Sequence, residues 1–106
     1  MVSLPIGALR NKMKYPKVTK KILKADYVQI TWSDINSDSS WKTLKDAMNS
    51  KTTVCVSTGW LIKADKDVHI LVADVNFNDD GTLGDVGNIT TMPTSNVLKV
   101  TKVPSV

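Results

Sequence analysis

Residues 53–75 read TVCVSTGWLIKADKDVHILVADV, and this stretch decides the fold. Two apolar runs rich in β-branched residues flank a short polar segment, KADKD, at residues 63–67. β-Branched and aromatic side chains favour strands, and a polar link of this length suits a hairpin turn. The stretch therefore predicts two adjacent antiparallel strands.

Length and charge set the domain organisation. The chain has 106 residues, the size of one domain that can bury a core without disulfides or a metal. Its net charge is +4, but residues 1–25 hold seven basic residues and no acid, whereas residues 26–106 hold seven lysines and ten aspartates. We therefore expect a basic N-terminal arm, residues 1–25, and a mildly acidic barrel domain, residues 26–106. The basic residues of the arm, which can attract phosphates or keep the protein in solution, are Arg10, Lys12, Lys14, Lys17, Lys20, Lys21 and Lys24.

Cysteine content and hydropathy indicate the compartment. The single cysteine, Cys55, has no partner for an internal disulfide, and its place in an apolar run favours a small buried side chain. No apolar run approaches the roughly 18 residues of a membrane span, and the first apolar segment is too short for a secretory signal. A cytoplasmic location is therefore expected.

Two further elements are predicted ahead of the hairpin. Residues 26–35 alternate between apolar and polar side chains, which indicates a half-buried strand. Residues 41–49 predict a helix, which we expect to cover one open end of the barrel with a stripe of apolar side chains, namely Trp41, Leu44 and Met48. Residues 16–24 are compatible with a short helix.

The C-terminal part predicts a long loop and two more strands. Residues 76–88 hold three of the five glycines and an Asp-Gly turn signal, which indicates a long hairpin loop. Its first half has the spacing of a calcium-binding loop, but Gly87 stands where a glutamate ligand is needed. Strands are expected over residues 89–92 and 97–103, with a tight or 3₁₀ turn at residues 93–96. Five short strands with one or two short helices predict a mainly β fold, a small five-stranded SH3-like barrel.

The sequence shows no catalytic arrangement. Ser57, Asp65 and His69 supply the residue types of a hydrolase triad, but the predicted hairpin has no nucleophile elbow. One cysteine and one histidine do not make a zinc site within a single chain. The glycines of residues 81–87 lack the Lys-Ser/Thr pair of a phosphate-binding loop. We expect no enzymatic activity, no cofactor and no metal.

The hairpin resembles the first motif of the Sm-like (LSm) family. That motif has a glycine, an apolar residue two positions on, an aspartate four later and apolar positions in the next strand, and the matching residues are Gly59, Leu61, Asp65, Val68, Ile70 and Val72. His69 stands at the asparagine position of the motif. Residues 92–100, MPTSNVLKV, resemble the second motif, with Pro93 and Thr94 at its Arg-Gly positions. Small proteins of tailed phages, including those of marine cyanophages, are similar in this general pattern.

The resemblance implies an Sm-like barrel that forms a ring and binds single-stranded RNA at a central pore. In the family, the fourth strand of one protomer pairs with the fifth strand of the next. We accordingly expect a non-catalytic homo-oligomeric ring, assisted by the basic arm, whose RNA-binding residues are Lys63, Asp65, His69, Thr94 and Ser95. Two interpretations remain open beside it: a phage structural or assembly module whose ring binds protein partners in the cytoplasm of a host cell, and a monomeric barrel. The tryptophans are expected in the core or at a subunit interface, with base stacking as the alternative; they are Trp32, Trp41 and Trp60.

Overall fold

The computed structural model describes residues 15–104 and has five antiparallel strands in one sheet. The strands are β1 (Asp26–Asp34), β2 (Thr53–Ala64), β3 (Val68–Phe77), β4 (Leu83–Pro93) and β5 (Val97–Lys102). A helix, α1 (Leu44–Met48), lies between β1 and β2, and a 3₁₀ turn (Thr94–Asn96) separates β4 from β5. The prediction of a mainly β fold with few helices is confirmed. No helix in the described part of the chain is long and apolar enough to cross a membrane.

The sheet has the strand order β4-β3-β2-β1-β5, so β4 and β5 are its two edges. β1 pairs with β2 along its whole length, from Asp26 opposite Leu61 to Asp34 opposite Thr53. β2 pairs with β3 only in its second half, where the ladder includes Trp60 opposite Val72. The first half of β2 therefore pairs with β1, and its second half also carries the ladder to β3. Within residues 15–104 no ladder joins β4 to β5, so hydrogen bonding does not close the sheet into a barrel.

Gly59 lies next to the point where β2 meets β3. A Cβ atom at this position would lie 2.6 Å from the carbonyl oxygen of Val72 and 3.1 Å from its carbonyl carbon. These are backbone atoms, which cannot rotate away as a flexible side chain can. Only glycine therefore allows the two strands to approach this closely, which is a common use of glycine inside a strand.

The main apolar cluster lies on one face of the sheet and includes residues of every strand. Val72 is also buried, but it follows Leu71 in β3 and so faces the other side. The buried members of the cluster are Val28, Ile30, Leu71 and Met92. Three half-buried side chains, from β1, β2 and β5, pack against this cluster: Trp32, Leu61 and Val97. Full burial of one such aliphatic side chain contributes about 1.5–3 kcal/mol. The cluster therefore supplies the main apolar stabilisation that holds the edge strands to the centre.

The helix predicted over residues 41–49 forms, but it is shorter and does not cover the core. It spans Leu44–Met48, and the hydroxyl of Thr43 caps it by accepting a hydrogen bond from the Asp46 amide at 3.1 Å. Trp41 is fully exposed, and Leu44 and Met48 are 78% and 77% exposed. The predicted lid is wrong because β1 and β2 stay paired to their ends, and this pairing carries α1 beyond the sheet.

The short helix suggested for residues 16–24 is a single turn. The Thr19 carbonyl accepts hydrogen bonds from the amides of Ile22, at 3.0 Å, and Leu23, at 2.8 Å, and no helix continues from it. Lysines four residues apart repel one another, and a short segment does not recover the cost of helix nucleation. The rest of the expected arm, including Arg10, Lys12 and Lys14, lies outside the described residues.

Most of the long loop predicted over residues 76–88 is instead paired strand: the β3–β4 hairpin has a short turn and one register shift, between Val75 and Phe77. β3 continues to Phe77 and β4 begins at Leu83, which also makes β4 longer than the predicted residues 89–92. Apolar residues face each other across the ladder, with Val75 opposite Val86 and Phe77 opposite Leu83. Such cross-strand pairs stabilise a ladder despite the glycines within it. The 3₁₀ turn and the fifth strand are confirmed, although β5 ends at Lys102.

Candidate nucleic-acid interface

Asp65 organises the turn between β2 and β3. Its Oδ1 atom accepts hydrogen bonds from the amides of Asp67 and Val68, both at 2.8 Å. A carboxylate that caps its own turn in this way replaces backbone hydrogen bonding. The bond from Val68, then that from Asp67, and then Lys63, whose Nζ lies 3.6 Å from Oδ2, hold the pKa of the Asp65 carboxyl below its ordinary value. Asp65 is therefore an anion that preserves the turn.

Two hydrogen bonds from Thr94, the residue after β4, link β4 to this turn. The amide of Thr94 donates to the carbonyl of Asp67 at 3.0 Å, and its hydroxyl donates to the carbonyl of Asp65 at 2.6 Å. Asp65, Asp67 and Thr94, with Lys63, His69 and Ser95 beside them, form what we call the turn cluster. It joins two segments that are about 25 residues apart in the sequence.

His69 completes the turn cluster, and its tautomer follows from the hydrogen bonding. Its Nδ1 atom lies 2.9 Å from the hydroxyl oxygen of Thr94. A hydroxyl has one proton, and that of Thr94 is directed to the Asp65 carbonyl, which can only accept. Nδ1 must therefore carry a proton and donate to Thr94. When the imidazole is neutral, Nε2 is left as a hydrogen-bond acceptor.

The structure brings four of the five expected RNA-binding residues together directly. Lys63, Asp65, His69 and Thr94 are linked by the contacts described above. Ser95 follows Thr94 in the chain, is exposed and donates to the side-chain oxygen of Asn96 at 3.3 Å. Lys63, Asp65 and Ser95 are exposed, whereas His69 and Thr94 are half-buried. The surface thus presents the Lys63 ammonium paired with the Asp65 carboxylate, the Ser95 hydroxyl and the His69 imidazole. An ammonium can contact a phosphate, and an imidazole can contact the edge of a base.

Two lysines of the arm, Lys20 and Lys24, lie beside Asp26 and Leu61, at the end of the β1–β2 ladder that is nearer in sequence to the turn. Lys20 Nζ is 2.5 Å from Asp26 Oδ1, and Lys102 Nζ is 3.5 Å from Asp26 Oδ2. The hydrogen bond from Lys20 is the main reason why the pKa of the Asp26 carboxyl is lowered. A cavity of about 460 Å³ here is lined in part by Lys20, Lys24 and Leu61. Lys17 and Lys21 are exposed.

Asn96 contributes a link whose role sequence reasoning missed. Its side-chain amide donates to the carbonyl of Ser33, at the end of β1, at 2.9 Å. The 3₁₀ turn is thereby fixed at both ends, to the β2–β3 turn through Thr94 and to β1 through Asn96. The resemblance to the second motif included Asn96, but it did not indicate that Asn96 bonds to Ser33.

The residues of the two alternative sites, a hydrolase triad and a calcium-binding loop, make hydrogen bonds that do not assemble either site. The Ser57 hydroxyl accepts a hydrogen bond from Trp32 Nε1 at 3.0 Å, whereas His69 bonds to Thr94. In the segment with the partial spacing of a calcium-binding loop, Asp80 Oδ1 accepts from the amide of Thr82 at 3.0 Å and from its hydroxyl at 2.6 Å. Across residues 15–104 no group of three His, Cys, Asp or Glu side chains is placed to hold a metal ion.

The three tryptophans have different environments. Trp32 packs against the core, as predicted. Trp60 is half-buried, and its ring meets that of Tyr27 edge-on with centroids 4.9 Å apart. Trp41 is fully exposed, so it is not a core residue; its place at a subunit interface stays a prediction.

Comparison of the chain with protein-family models, with curated proteins and with solved structures finds no match.

Proposed function

We propose that the chain is a non-catalytic Sm-like protein whose sheet curves into an SH3-like barrel, which assembles into a homo-oligomeric ring and binds single-stranded RNA at the pore. The observation that carries the proposal is the strand order, which leaves β4 and β5 as the two edges on either side of a 3₁₀ turn. Pairing β4 of one protomer with β5 of the next would continue the sheet around a closed ring.

Exposed apolar side chains on both edges support this pairing. Ile89 on β4 is 56% exposed, and Leu98 and Val100 on β5 are 58% and 42% exposed. An open edge that carries apolar residues is a template for another strand. A head-to-tail contact uses both edges of every protomer and leaves none open when the ring closes.

The charges of the two edges favour a head-to-tail contact over a symmetric one. Residues 68–93 contain four aspartates and no lysine or arginine, so the β3–β4 hairpin is acidic. β5 carries Lys99 and Lys102 and no acid. Opposite charges favour β4 against β5, whereas pairing of two identical edges would place like charges together.

The turn cluster supports RNA as the ligand. In neutral His69, Nε2 can accept a hydrogen bond from the edge of a base, and the exposed ammonium of Lys63 can contact a phosphate. The imidazole is held in place through Thr94, which reduces the ordering cost when a base binds. A ring would repeat this cluster once per protomer, so a strand of several nucleotides could be bound.

The assembly can be tested by measuring the mass of Leu98→Asp by light scattering. An aspartate at this exposed β5 position should prevent edge pairing and give monomers, because it replaces an apolar side chain with a charge of the same sign as the acidic β3–β4 hairpin. Gln29→Asp is the matched control, since it adds the same charge at an exposed position of β1, which is not an edge strand. A wild-type protein that scatters as a monomer would reject the ring.

RNA binding can be tested by fluorescence anisotropy with uridine-rich and adenine-rich oligonucleotides at low salt. His69→Ala should weaken binding, whereas Gln29→Ala, an exposed β1 residue, should not. Absence of binding to either RNA, or binding that is indifferent to His69→Ala, would reject the site.

A second candidate is a phage structural or assembly module whose ring binds protein partners. The exposed apolar side chains of α1, Leu44 and Met48, favour it, because apolar surface often marks a protein contact. A ring whose mass is unchanged by oligonucleotide, and which behaves identically without residues 1–14, would support this candidate over RNA binding.

A further inference from the structure

The segment between β1 and β2, residues 35–52, forms a projecting structure that we call the hairpin tip. Its base is closed by the hydroxyl of Ser33, which donates to that of Thr52 at 2.7 Å, and by the side-chain amide of Asn36, which donates to the carbonyl of Lys51 at 3.3 Å. The tip encloses an open cavity of about 620 Å³. Trp41 lines this cavity and is fully exposed.

The lining of the cavity matches the parts of a nucleotide. An exposed indole ring offers a face on which a base can stack, whatever the base. Two basic residues, Lys42 and Lys51, line the same cavity together with two acidic ones, Asp38 and Asp46. Lys42 Nζ lies 3.4 Å from Asp38 Oδ2 in an exposed pair, which contributes little and can be exchanged for a phosphate. No ion pair joins Lys51 to another residue within 15–104.

The polarity of the lining favours a nucleotide over an apolar protein segment. Eight of the ten lining residues are polar, and Trp41 and Ala47 are the apolar ones. The other exposed apolar side chains of the tip, Leu44 and Met48, do not line the cavity. An apolar protein segment in the cavity would remove water from these polar groups without replacing its hydrogen bonds. A base and a phosphate can hydrogen-bond to them.

The hairpin tip is also connected to the turn cluster by a short series of contacts. Asn96, two residues after Thr94, donates to the carbonyl of Ser33 at 2.9 Å. Ser33 in turn donates to Thr52 at the base of the tip. The base of the hairpin tip is therefore joined to the turn cluster, and an RNA strand bound at the turn cluster would have to extend beyond it to reach Trp41.

We propose that the hairpin tip is a second RNA-contacting element, in which one base stacks on Trp41 and the neighbouring phosphate binds at Lys42 and Lys51. The inference rests on the proposed function, since it adds a contact to the same bound strand. It also predicts that the contribution of the tip to affinity depends on RNA length, because only an RNA that extends beyond the turn cluster can reach the tip.

The test compares the affinities of a short uridine-rich RNA of about 6 nucleotides and a long one of about 15 nucleotides by fluorescence anisotropy. Trp41→Ala should weaken binding of the long RNA about tenfold, as expected for loss of one stacked base, and leave the short RNA unchanged. Trp41→Phe should restore most of the affinity because it keeps an aromatic face. Leu44→Ala, which changes an exposed apolar residue outside the cavity, is the matched control.

The outcomes separate this inference from the proposed function. If Trp41→Ala binds the long RNA like the wild type while His69→Ala does not, the hairpin tip is not an RNA contact and the proposed function stands. If the wild type binds neither RNA, both fail. If Trp41→Ala changes the mass of the assembly instead of RNA affinity, the tip is a protein interface and the inference is overturned.

Discussion

Replacement of Gly59 by alanine should destabilise the sheet, because the added Cβ meets backbone on a neighbouring strand. The Cβ would lie 2.6 Å from the Val72 carbonyl oxygen, in a place where Gly59 and Val72 are both buried. Relief requires β2 and β3 to separate near the Trp60–Val72 pair.

The size of the effect follows from two opposing contributions. Non-bonded carbon contacts are optimal at about 3.5–4.0 Å, so the strands must move apart by roughly 1 Å. Overpacking of this kind costs about 1–3 kcal/mol, and the lower entropy of the unfolded alanine chain offsets about 0.4–1 kcal/mol. The clash is with backbone, so a net loss of about 2 kcal/mol is expected. In a domain of this size that loss lowers Tm by about 10 °C.

The assay is thermal and urea unfolding followed by circular dichroism, at equal protomer concentration because assembly shifts apparent stability. Gly87→Ala is the matched control, since its Cβ would lie 3.9 Å from the nearest atom, the Asp74 Cβ, which is an ordinary contact. Its stability should stay within about 0.5 kcal/mol of the wild type. A Gly59→Ala protein as stable as the wild type would refute the close approach of β2 and β3.

Two further predictions concern the turn cluster. Thr94→Val should lower the free energy of unfolding by about 1 kcal/mol, because the Asp65 carbonyl and His69 Nδ1 lose their shared partner, and urea unfolding should show no such loss for the exposed Thr101→Val. Asp65→Ala should be less stable than Asp65→Asn, which keeps an oxygen acceptor for the turn amides. Because the folded-state pKa of Asp65 is lowered, its contribution is present above its unfolded pKa of about 3.9 and lost as pH falls through the folded value, so the Tm difference between wild type and Asp65→Ala should shrink in acid. A difference that stays constant into strong acid would contradict this role.

Local periodicity was sufficient to predict the strands that form the core. Val28, Ile30 and Trp32 alternate along β1 and lie in or against the buried cluster. The central hairpin has strands and a turn at the positions that its apolar runs and polar link indicate. These features depend on neighbouring residues in the chain, so a sequence pattern contains them.

The location of α1 could not be predicted in the same way. The helical spacing of Trp41, Leu44 and Met48 indicates a stripe but not the surface that it faces. That surface depends on how far β1 and β2 stay paired, and the pairing of Asp34 with Thr53 places the helix outside the sheet. The loop predicted from the glycines of residues 76–88 was wrong for a related reason. Cross-strand packing of β3 on β4 outweighs the local preference of these glycines for a turn.

The turn cluster was predictable only as a list of residues. Lys63, Asp65, His69, Thr94 and Ser95 came from the family resemblance, but the hydrogen bond between His69 and Thr94 requires a particular β3–β4 register, with Val68 opposite Pro93. No local pattern contains that register. The exposed lining of the hairpin tip is likewise a product of tertiary structure.

Native mass spectrometry with and without a uridine-rich oligonucleotide tests the central claim most directly, because it reports assembly and binding together. We expect one closed assembly of a fixed number of protomers without oligonucleotide. With oligonucleotide we expect a further species, heavier by the mass of a whole number of oligonucleotides. A protein that keeps the mass of a single chain under both conditions would contradict it.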